Sequence, residues 1–323
     1  MDQPFSLSAV VVCYRDAPTI RALHERLSIA LRAITPRYEI IYVNDASPDD
    51  SAQILQELSA RDLHLTVLHH SRNFGAQAAF TSGMLQAAGD AVILLDGDLQ
   101  DPPELITEFV AKWREGFEVV YGVRRKRERS LGRINQWLYH SFYVLFHRLS
   151  YIKVPPDAGE FSLLDRKVVE WINALPERDR LIRGLRAWVG FRQTGIDYVR
   201  PERFAGVSTN SFWKNLRWAR KAIFSFSYAP LEWVSWLAGI VTLLSGGAIV
   251  FYIATFFLLP GTPRGLTTIF VLVLFLGSVQ LLSLGVIAEY VGRIFEETKQ
   301  RPRAIVRDVW NDHRQSGVPL WER

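Results

Sequence analysis

The N-terminal part of the chain alternates between short apolar runs and longer amphipathic stretches. Apolar runs of strand length occupy residues 7–13, 39–44, 65–69, 91–95 and 118–121. Stretches of helix length separate them, at residues 19–34, 48–60, 75–88 and 102–115. Strands that are apolar on both faces and joined by helical crossovers predict an α/β fold with a mainly parallel sheet.

Two of the predicted helices have clear starting signals. Ser47-Pro48 and Asp101-Pro102 each place a capping side chain before a proline at the first helical position. Glu104 follows Asp101 by three residues, the spacing of a capping box. The sequence therefore predicts helices that begin directly after Ser47 and Asp101.

Two long uncharged runs follow, at residues 233–259 and 267–288. Each exceeds the roughly 20 residues that a helix needs to cross about 30 Å of hydrocarbon. Core helices of a soluble protein are the alternative, although such helices rarely stay uncharged over this length. Pro260, Gly261, Pro263 and Gly265 lie between the runs. The pattern predicts a transmembrane hairpin with two spans and a short turn.

Charges beside these runs predict the orientation of the hairpin. Four basic residues precede the first run and four follow the second, whereas the turn holds only Arg264. Positive charge favours the cytoplasmic side, so both termini are expected there. The first residues lack the basic region of a signal peptide. We predict a cytosolic domain (1–210), a juxtamembrane amphipathic segment (211–232), the hairpin (233–290) and a cytosolic tail (291–323).

Composition narrows the functional classes. The chain has 323 residues, of which 49% are hydrophobic and 22% charged, so it is neither disordered nor a coiled coil. The single cysteine, Cys13, excludes an intramolecular disulfide and a cysteine-rich metal cluster. The net charge is +5. Basic residues mixed with aromatic residues at 124–149 and 211–228 predict segments in the membrane interface. An ordinary packing helix beside a basic loop is the alternative, and nucleic acid is not an expected partner.

Acidic residues follow the predicted strands, where ligands bind in open α/β sheets. They are Asp16 after the first strand, Asp45 after the second, and Asp96 and Asp98 after the fourth. No G-x-G-x-x-G follows the first strand, and no P-loop motif occurs. Carboxylates repel a bare phosphate but suit one that is bridged by a divalent cation. The D-x-D sequence at residues 96–98 is therefore a candidate metal site.

The segment D-G-D-L-Q-D-P-P-E at residues 96–104 resembles the D-x-D-L-Q-x-P-P-E signature of polyprenyl-phosphate glycosyltransferases. These family-2 glycosyltransferases include dolichyl-phosphate mannose synthase and bacterial undecaprenyl-phosphate glucosyltransferases. The resemblance extends over nearly the whole chain, through residues 11–16, 42–47, 71–75, 157–161, 164–166, 175–178, 203–208 and 289–294. It implies a Rossmann-like nucleotide-sugar transferase domain of the GT-A type.

The resemblance also implies roles for individual residues. Tyr14, Asp16 and Asp45 would hold the nucleoside of a sugar nucleotide. Asp96, Asp98 and Gln100 would hold Mg²⁺ or Mn²⁺ and, through the ion, the diphosphate. Asp98 is therefore also a predicted catalytic residue. Arg124 would bind phosphate. Catalytic Asp157 would lie at the acceptor, as a base or an orienting group. Arg133, Arg203 and Ser208 would bind the acceptor phosphate, with closure over the nucleotide as the alternative for Arg203 and Ser208. Three positions depart from the family pattern, namely Asp16 for Glu, Asn44 for Asp and Thr209 for Lys.

The implied reaction is transfer of one sugar, with inversion, to undecaprenyl or another polyprenyl phosphate. UDP-glucose is the preferred donor, followed by GDP-mannose and other UDP-sugars. The resemblance implies a homo-oligomer, such as a tetramer, in the inner membrane of a bacterium. A processive polysaccharide synthase is a rival, but two spans cannot enclose a polymer channel. A non-catalytic membrane scaffold is another, although it would be expected to have lost Asp96, Asp98 or Asp157.

Overall fold

The computed structural model describes residues 5–125, 158–199, 229–258 and 265–312. The chain divides into two compact units. Among the described residues, one unit holds 5–125, 158–199 and 301–312, and the other holds 229–258 and 265–300. The first contains a sheet with helices, and the second contains two long helices.

The described strands form one sheet in the order β7-β5-β6-β4-β1-β2-β3-β8. Their bounds are β1 Leu7–Cys13, β2 Tyr38–Asn44, β3 Leu65–His70, β4 Ala91–Asp96, β5 Val119–Arg125, β6 Ala158–Asp165, β7 Gln193–Val199 and β8 Val306–Trp310. The described helices of this unit are α1 Ala17–Ile34, α2 Ser51–Ser59, α3 Ala76–Gln86, α4 Ile106–Arg114, α5 Arg166–Ala174 and α6 Ile182–Trp188, with a 3₁₀ turn at Pro103–Leu105.

The centre of the sheet is parallel, as β1 pairs in parallel with both β2 and β4, and β2 pairs in parallel with β3. Every residue of β1 is buried. Such a strand lies between helices on both faces, which explains its continuous apolar run. Antiparallel β6 lies between β4 and β5, so the sheet is mixed. The predicted α/β fold and its five strands are confirmed.

The predicted helix caps are wrong in detail. Helix α2 begins at Ser51, and Ser47 instead donates to the Asp49 carboxylate at 2.5 Å. Asp101 is fully buried and accepts a hydrogen bond from the Tyr198 hydroxyl at 2.5 Å, and Pro102 rather than Asp101 occupies the cap position of the 3₁₀ turn that follows. Glu104 pairs with Arg26. Asp101 and Glu104 thus pair with residues that are distant in the sequence, whereas Ser47 is bound within its own loop.

Helices α7 (Ala229–Leu258) and α8 (Leu266–Thr298) form the second unit. Each contains a stretch that is long and apolar enough to cross a membrane, within Ala229–Ala248 and Phe275–Thr298. Neither apolar stretch has any part buried in the structure, whereas a core helix of a soluble protein would be mostly buried. After α8 the chain returns to the sheet unit, where β8 pairs antiparallel with β3. The sequence predicts a cytosolic tail there and no strand.

Candidate functional site

The acidic residues singled out in the sequence follow strands that are neighbours in the sheet. In register, Cys13 of β1 lies opposite Asn44 of β2, and Val12 lies opposite Asp96 of β4. The loops after β1, β2 and β4 therefore lie side by side, at the edge of the sheet formed by the carboxyl ends of these strands. Each contains a non-glycine residue in the left-handed region, namely Arg15 (φ 63°), Ala46 (φ 53°) and Leu99 (φ 58°). Backbone strain of this kind concentrates at functional sites.

The loop after β1 is bound to the loop after β2. The Arg15 amide donates to the Ser47 hydroxyl at 2.7 Å, and the Ala17 amide donates to the Asp49 carboxylate at 3.1 Å. Within the first loop, the Tyr14 amide donates to Asp16 at 2.9 Å. Tyr14 itself is 40% exposed. The two loops thus form one connected surface with an aromatic ring at its edge.

Asp45 is almost fully buried beneath this surface. It accepts hydrogen bonds from the amides of Phe74 and Gly75, both at 2.8 Å. It also contacts Nδ1 of His70 at 2.7 Å, and Nε2 of His70 lies 3.0 Å from the Ser82 hydroxyl. Burial alone would raise the pKa of Asp45, but these hydrogen bonds outweigh it and lower the pKa below its ordinary value. Asp45 therefore fixes the loop between β3 and α3.

The D-x-D sequence lies at the end of β4, where Asp96 and Asp98 are half-buried. Gly97 donates to the Val12 carbonyl at 2.8 Å. A Cβ on Gly97 would lie 2.9 Å from that carbonyl oxygen and 3.1 Å from the Asp16 carboxylate, so only glycine fits. The Gln100 amide donates to Asp98 at 3.1 Å and holds the following turn. The glycine thus brings the acidic loops after β1 and β4 close together.

These side chains fit a divalent cation. Asp96 and Asp98 supply hard carboxylate oxygens, and Gln100 adds an amide oxygen two residues further on. Among the residues that the structure describes, no group of three or more His, Cys, Asp or Glu side chains is arranged to hold a metal. Mg²⁺ is commonly bound by one or two carboxylates together with substrate phosphates. The donor set therefore suits a cation that binds with a diphosphate.

Arg124, at the end of β5, provides positive charge near these carboxylates. Its Nε donates to the Tyr198 hydroxyl at 3.2 Å, and its Nη2 lies 3.9 Å from buried Asp101. Burial would lower the pKa of Arg124, but Asp101, Tyr198 and Asp96 together raise it. Arg124 therefore remains charged. A Cβ on Gly159 would lie 2.7 Å from its Nη2, so the glycine makes room for the guanidinium group.

Comparison with known proteins identifies the family. The family described as Glycosyl transferase family 2 matches residues 8–172, which include β1 to β6 and all the loops described above. The chain belongs to glycosyl transferase family 2. The resemblance found in the sequence is thereby confirmed, and the mixed α/β sheet described above is the fold of its matched region.

Several relatives of this family-2 glycosyltransferase match along almost the whole chain. The Synechocystis sp. protein named Uncharacterized glycosyltransferase sll0501 is 43% identical, over 94% of this chain and 95% of its own length. The Bactoprenol glucosyl transferase of Shigella phage SfV is 35% identical, over 94% of this chain and 98% of its own length. Among solved structures, the Pyrobaculum calidifontis mannosyltransferase PcManGT gives a TM-score of 0.45 at 18% identity, covering 87% of this chain and 88% of its own.

Some predicted site residues of this family-2 glycosyltransferase lie outside the described residues. They are Asp157, Arg133, Arg203 and Ser208, together with the predicted interfacial segments. Their assignments remain predictions. The described residues bring together Tyr14, Asp16, Asp96, Asp98, Gln100 and Arg124 around three loops and the end of β5, while Asp45 lies beneath them.

Sequence reasoning missed three polar residues at this edge of the family-2 domain. Asp101 was interpreted as a helix cap, although it holds Tyr198 and Arg124. Tyr198 carried no signal, because its partner is 97 residues away in the sequence. Asp49 organises the loop after β2 by accepting from Ser47 and Ser51, and a serine-rich, acidic loop after a strand was the available signal.

Proposed function

We propose that this protein is a membrane-bound inverting glycosyltransferase that transfers one sugar to undecaprenyl or another polyprenyl phosphate and releases a nucleoside diphosphate. The preferred donor is UDP-glucose. The observation that carries the proposal is the match to a bactoprenol glucosyl transferase over 94% of the chain. So few residues lie outside this alignment that it must include most of the two apolar helices. The arrangement of carboxylates and Arg124 at one sheet edge supports the donor half of the reaction.

The donor side follows from the described residues. The exposed Tyr14 ring is available to stack on the nucleobase, and Asp16 lies in the same loop. Arg124 contributes positive charge for the diphosphate. Asp96, Asp98 and Gln100 would hold Mg²⁺ or Mn²⁺, which when bound neutralises charge that develops on the leaving diphosphate. The protein's own contribution is to fix these groups before the substrate arrives, which is the main source of electrostatic catalysis.

On the acceptor side, a lipid phosphate is already ionised near neutral pH and can attack the anomeric carbon without a strong base. A single displacement inverts the configuration at that carbon. Asp157 is our candidate to orient or deprotonate the acceptor, and Arg133, Arg203 and Ser208 are our candidates to bind its phosphate. Asp157 directly precedes β6, and β6 pairs with the strand that carries Arg124. The first residue of β6, Ala158, lies opposite Val123, which precedes Arg124 in the sequence, and this register supports an acceptor position beside the diphosphate.

The membrane topology is supported by the path of the chain. The sheet unit precedes α7, and the chain rejoins it after α8 as strand β8. Two crossings would return the chain to the side of the membrane from which it started, which supports placing both outer ends of the helix pair on one side. The basic residues that flank the helices assign this side to the cytoplasm. We therefore retain the proposed cytosolic domain (1–210), juxtamembrane segment (211–232), hairpin (233–290) and cytosolic C-terminal region (291–323).

A donor panel tests the proposal. Detergent-solubilised protein is incubated with undecaprenyl phosphate, Mg²⁺ and labelled UDP-glucose, GDP-mannose or another UDP-sugar, and label is counted in the chloroform phase. The Asp98→Ala variant serves as the control. We expect chloroform-soluble label with UDP-glucose and none with the variant. Label in an ethanol-insoluble polymer would favour a processive synthase, and no transfer from any donor would favour a scaffold.

A further inference from the structure

Residues 301–312, which follow helix α8, form a segment that we call the C-terminal strap. Left-handed residues stand at each end of its extended part, at Gln300 (φ 47°) and Asn311 (φ 51°). Its strand β8 occupies the edge of the sheet beside β3, with Leu68 opposite Val309 and Val67 opposite Trp310. The strap therefore supplies the outermost strand of the sheet on the side of β3.

Hydrogen bonds from side chains and from the backbone hold the strap against the sheet unit along its length. Arg303 donates to the Leu175 carbonyl, and the Ile305 carbonyl accepts from the Ser71 amide at 2.9 Å. At the other end, the Asn311 carbonyl accepts from the Thr66 hydroxyl at 2.9 Å. Asp312 accepts from Gln86 at 3.0 Å. These contacts reach the loop after α5, both ends of β3 and the end of α3, so the strap is a built part of the sheet unit.

A row of contacts leads from the strap to the loops of the candidate site. The Trp310 ring lies 3.9 Å, between centroids, from the ring of buried His69. Nδ1 of His69 lies 3.3 Å from the side-chain amide nitrogen of Asn44 at the end of β2. The Asn44 side-chain oxygen accepts from the Ser47 amide at 2.9 Å, and the Ser47 hydroxyl accepts from the Arg15 amide at 2.7 Å. Each contact fixes the next.

The chemistry of this row accounts for Asn44, where the family pattern has an aspartate. The Asn44 oxygen is engaged by Ser47, so its NH₂ group faces His69 and the imidazole must accept. A carboxylate at this position could only accept, so a neutral ring would have to change to the tautomer with its proton on Nδ1. The amide therefore matches the tautomer of His69 whose Nδ1 accepts, and that ring packs against Trp310.

We propose that the C-terminal strap positions the donor site, with Trp310 acting through His69 and Asn44 on the loop after β2 and, through it, on the loop that carries Tyr14 and Asp16. This inference rests on the proposed function and adds a role for the chain that follows the second apolar helix. Trp310 and His69 are positioning residues, since neither borders the candidate ligand groups directly. The effect is expected on donor binding rather than on acceptor binding.

Steady-state kinetics of purified full-length variants test the inference. Trp310→Ala should raise KM for the donor about fivefold to tenfold, which lies within the range that loss of one aromatic pair can cause. KM for undecaprenyl phosphate should stay within about twofold. Trp310→Phe should recover most of the donor affinity. Trp171→Ala removes a tryptophan that is 61% exposed on α5 and is the matched control, with unchanged values expected.

Asn44→Asp is a second variant that leaves every strap residue in place. It should also raise KM for the donor, and limited proteolysis should show the strap protected as in the wild type. The inference is overturned if folded Trp310→Ala or Asn44→Asp keeps the wild-type donor KM, or if both substrates lose affinity equally. Wild-type protein that transfers no sugar in the same assay would instead overturn the proposed function.

Discussion

Substitution of Gly159 by alanine tests the placement of Arg124 with the smallest possible change. The added Cβ would lie 2.7 Å from Nη2, 2.9 Å from Cζ and 3.1 Å from Nε of Arg124. Favourable van der Waals contact requires a separation of about 3.5 Å, so the guanidinium group must move by about 0.8 Å. Because the Arg124 side chain is 31% exposed, it can move outward without breaking the core.

The consequence should be catalytic rather than structural. A misplacement near 1 Å of a group that positions substrate can lower the rate by on the order of 100-fold. We expect Gly159→Ala to lower kcat/KM for the donor by about 30-fold to 100-fold. The free energy of unfolding should change by less than about 1 kcal/mol. Nucleoside diphosphate release measures the former, and urea unfolding followed by circular dichroism measures the latter.

A double-mutant cycle isolates the cause. If the alanine acts through Arg124, adding Gly159→Ala to Arg124→Ala should cause little further loss. Gly239→Ala is a matched control, because a Cβ there meets nothing within 4 Å. Full activity of Gly159→Ala, or losses that add in the double variant, would refute the proposed placement of Arg124 at the diphosphate.

Three further predictions follow from the same site. Asp98→Ala should abolish transfer while the protein stays folded and membrane-bound, as judged by circular dichroism and membrane sedimentation. Asp45→Asn should cost about 1–3 kcal/mol of unfolding free energy and raise donor KM, since an amide cannot accept all the hydrogen bonds that the carboxylate receives. Burial, helped by Arg307 and His70 and opposed by Asp308, lowers the pKa of His69 from 6.5 to about 4. The unfolded chain therefore binds the extra proton first as pH falls, and unfolding free energy should drop by roughly 3 kcal/mol between pH 6.5 and pH 4, a loss that His69→Gln should lack.

Much of the fold could be predicted because its signals are local. Strand β1 is buried at every position, and its apolar run matches the observed strand residue for residue. Strand β8 could not be predicted in this way. Its sequence V-R-D-V-W does not alternate regularly between apolar and polar residues, and its two charged residues are exposed. Only its pairing with β3 makes it a strand, and that partner lies more than 230 residues away.

Only part of the candidate site could be predicted from the sequence, for the same reason. The carboxylates after β1 and β4 could be predicted from strand ends and motif spacing, because parallel strands bring those ends to one edge. The burial of Asp45 could not, since its partner His70 is 25 residues away and belongs to another strand. The role of Asp101 was obscured by two prolines, which favour a cap locally, whereas the hydrogen bond from Tyr198 depends on the complete sheet.

The central claim is that a sugar is transferred singly, and with inversion, to a lipid phosphate. The most direct measurement is ¹H and ³¹P NMR of the purified chloroform-soluble product formed from UDP-glucose and undecaprenyl phosphate. UDP-glucose carries an α-linked sugar, so the account predicts one β-linked glucose on one phosphodiester. An α-linked product, a glycan of several residues, or recovery of unmodified undecaprenyl phosphate would contradict it.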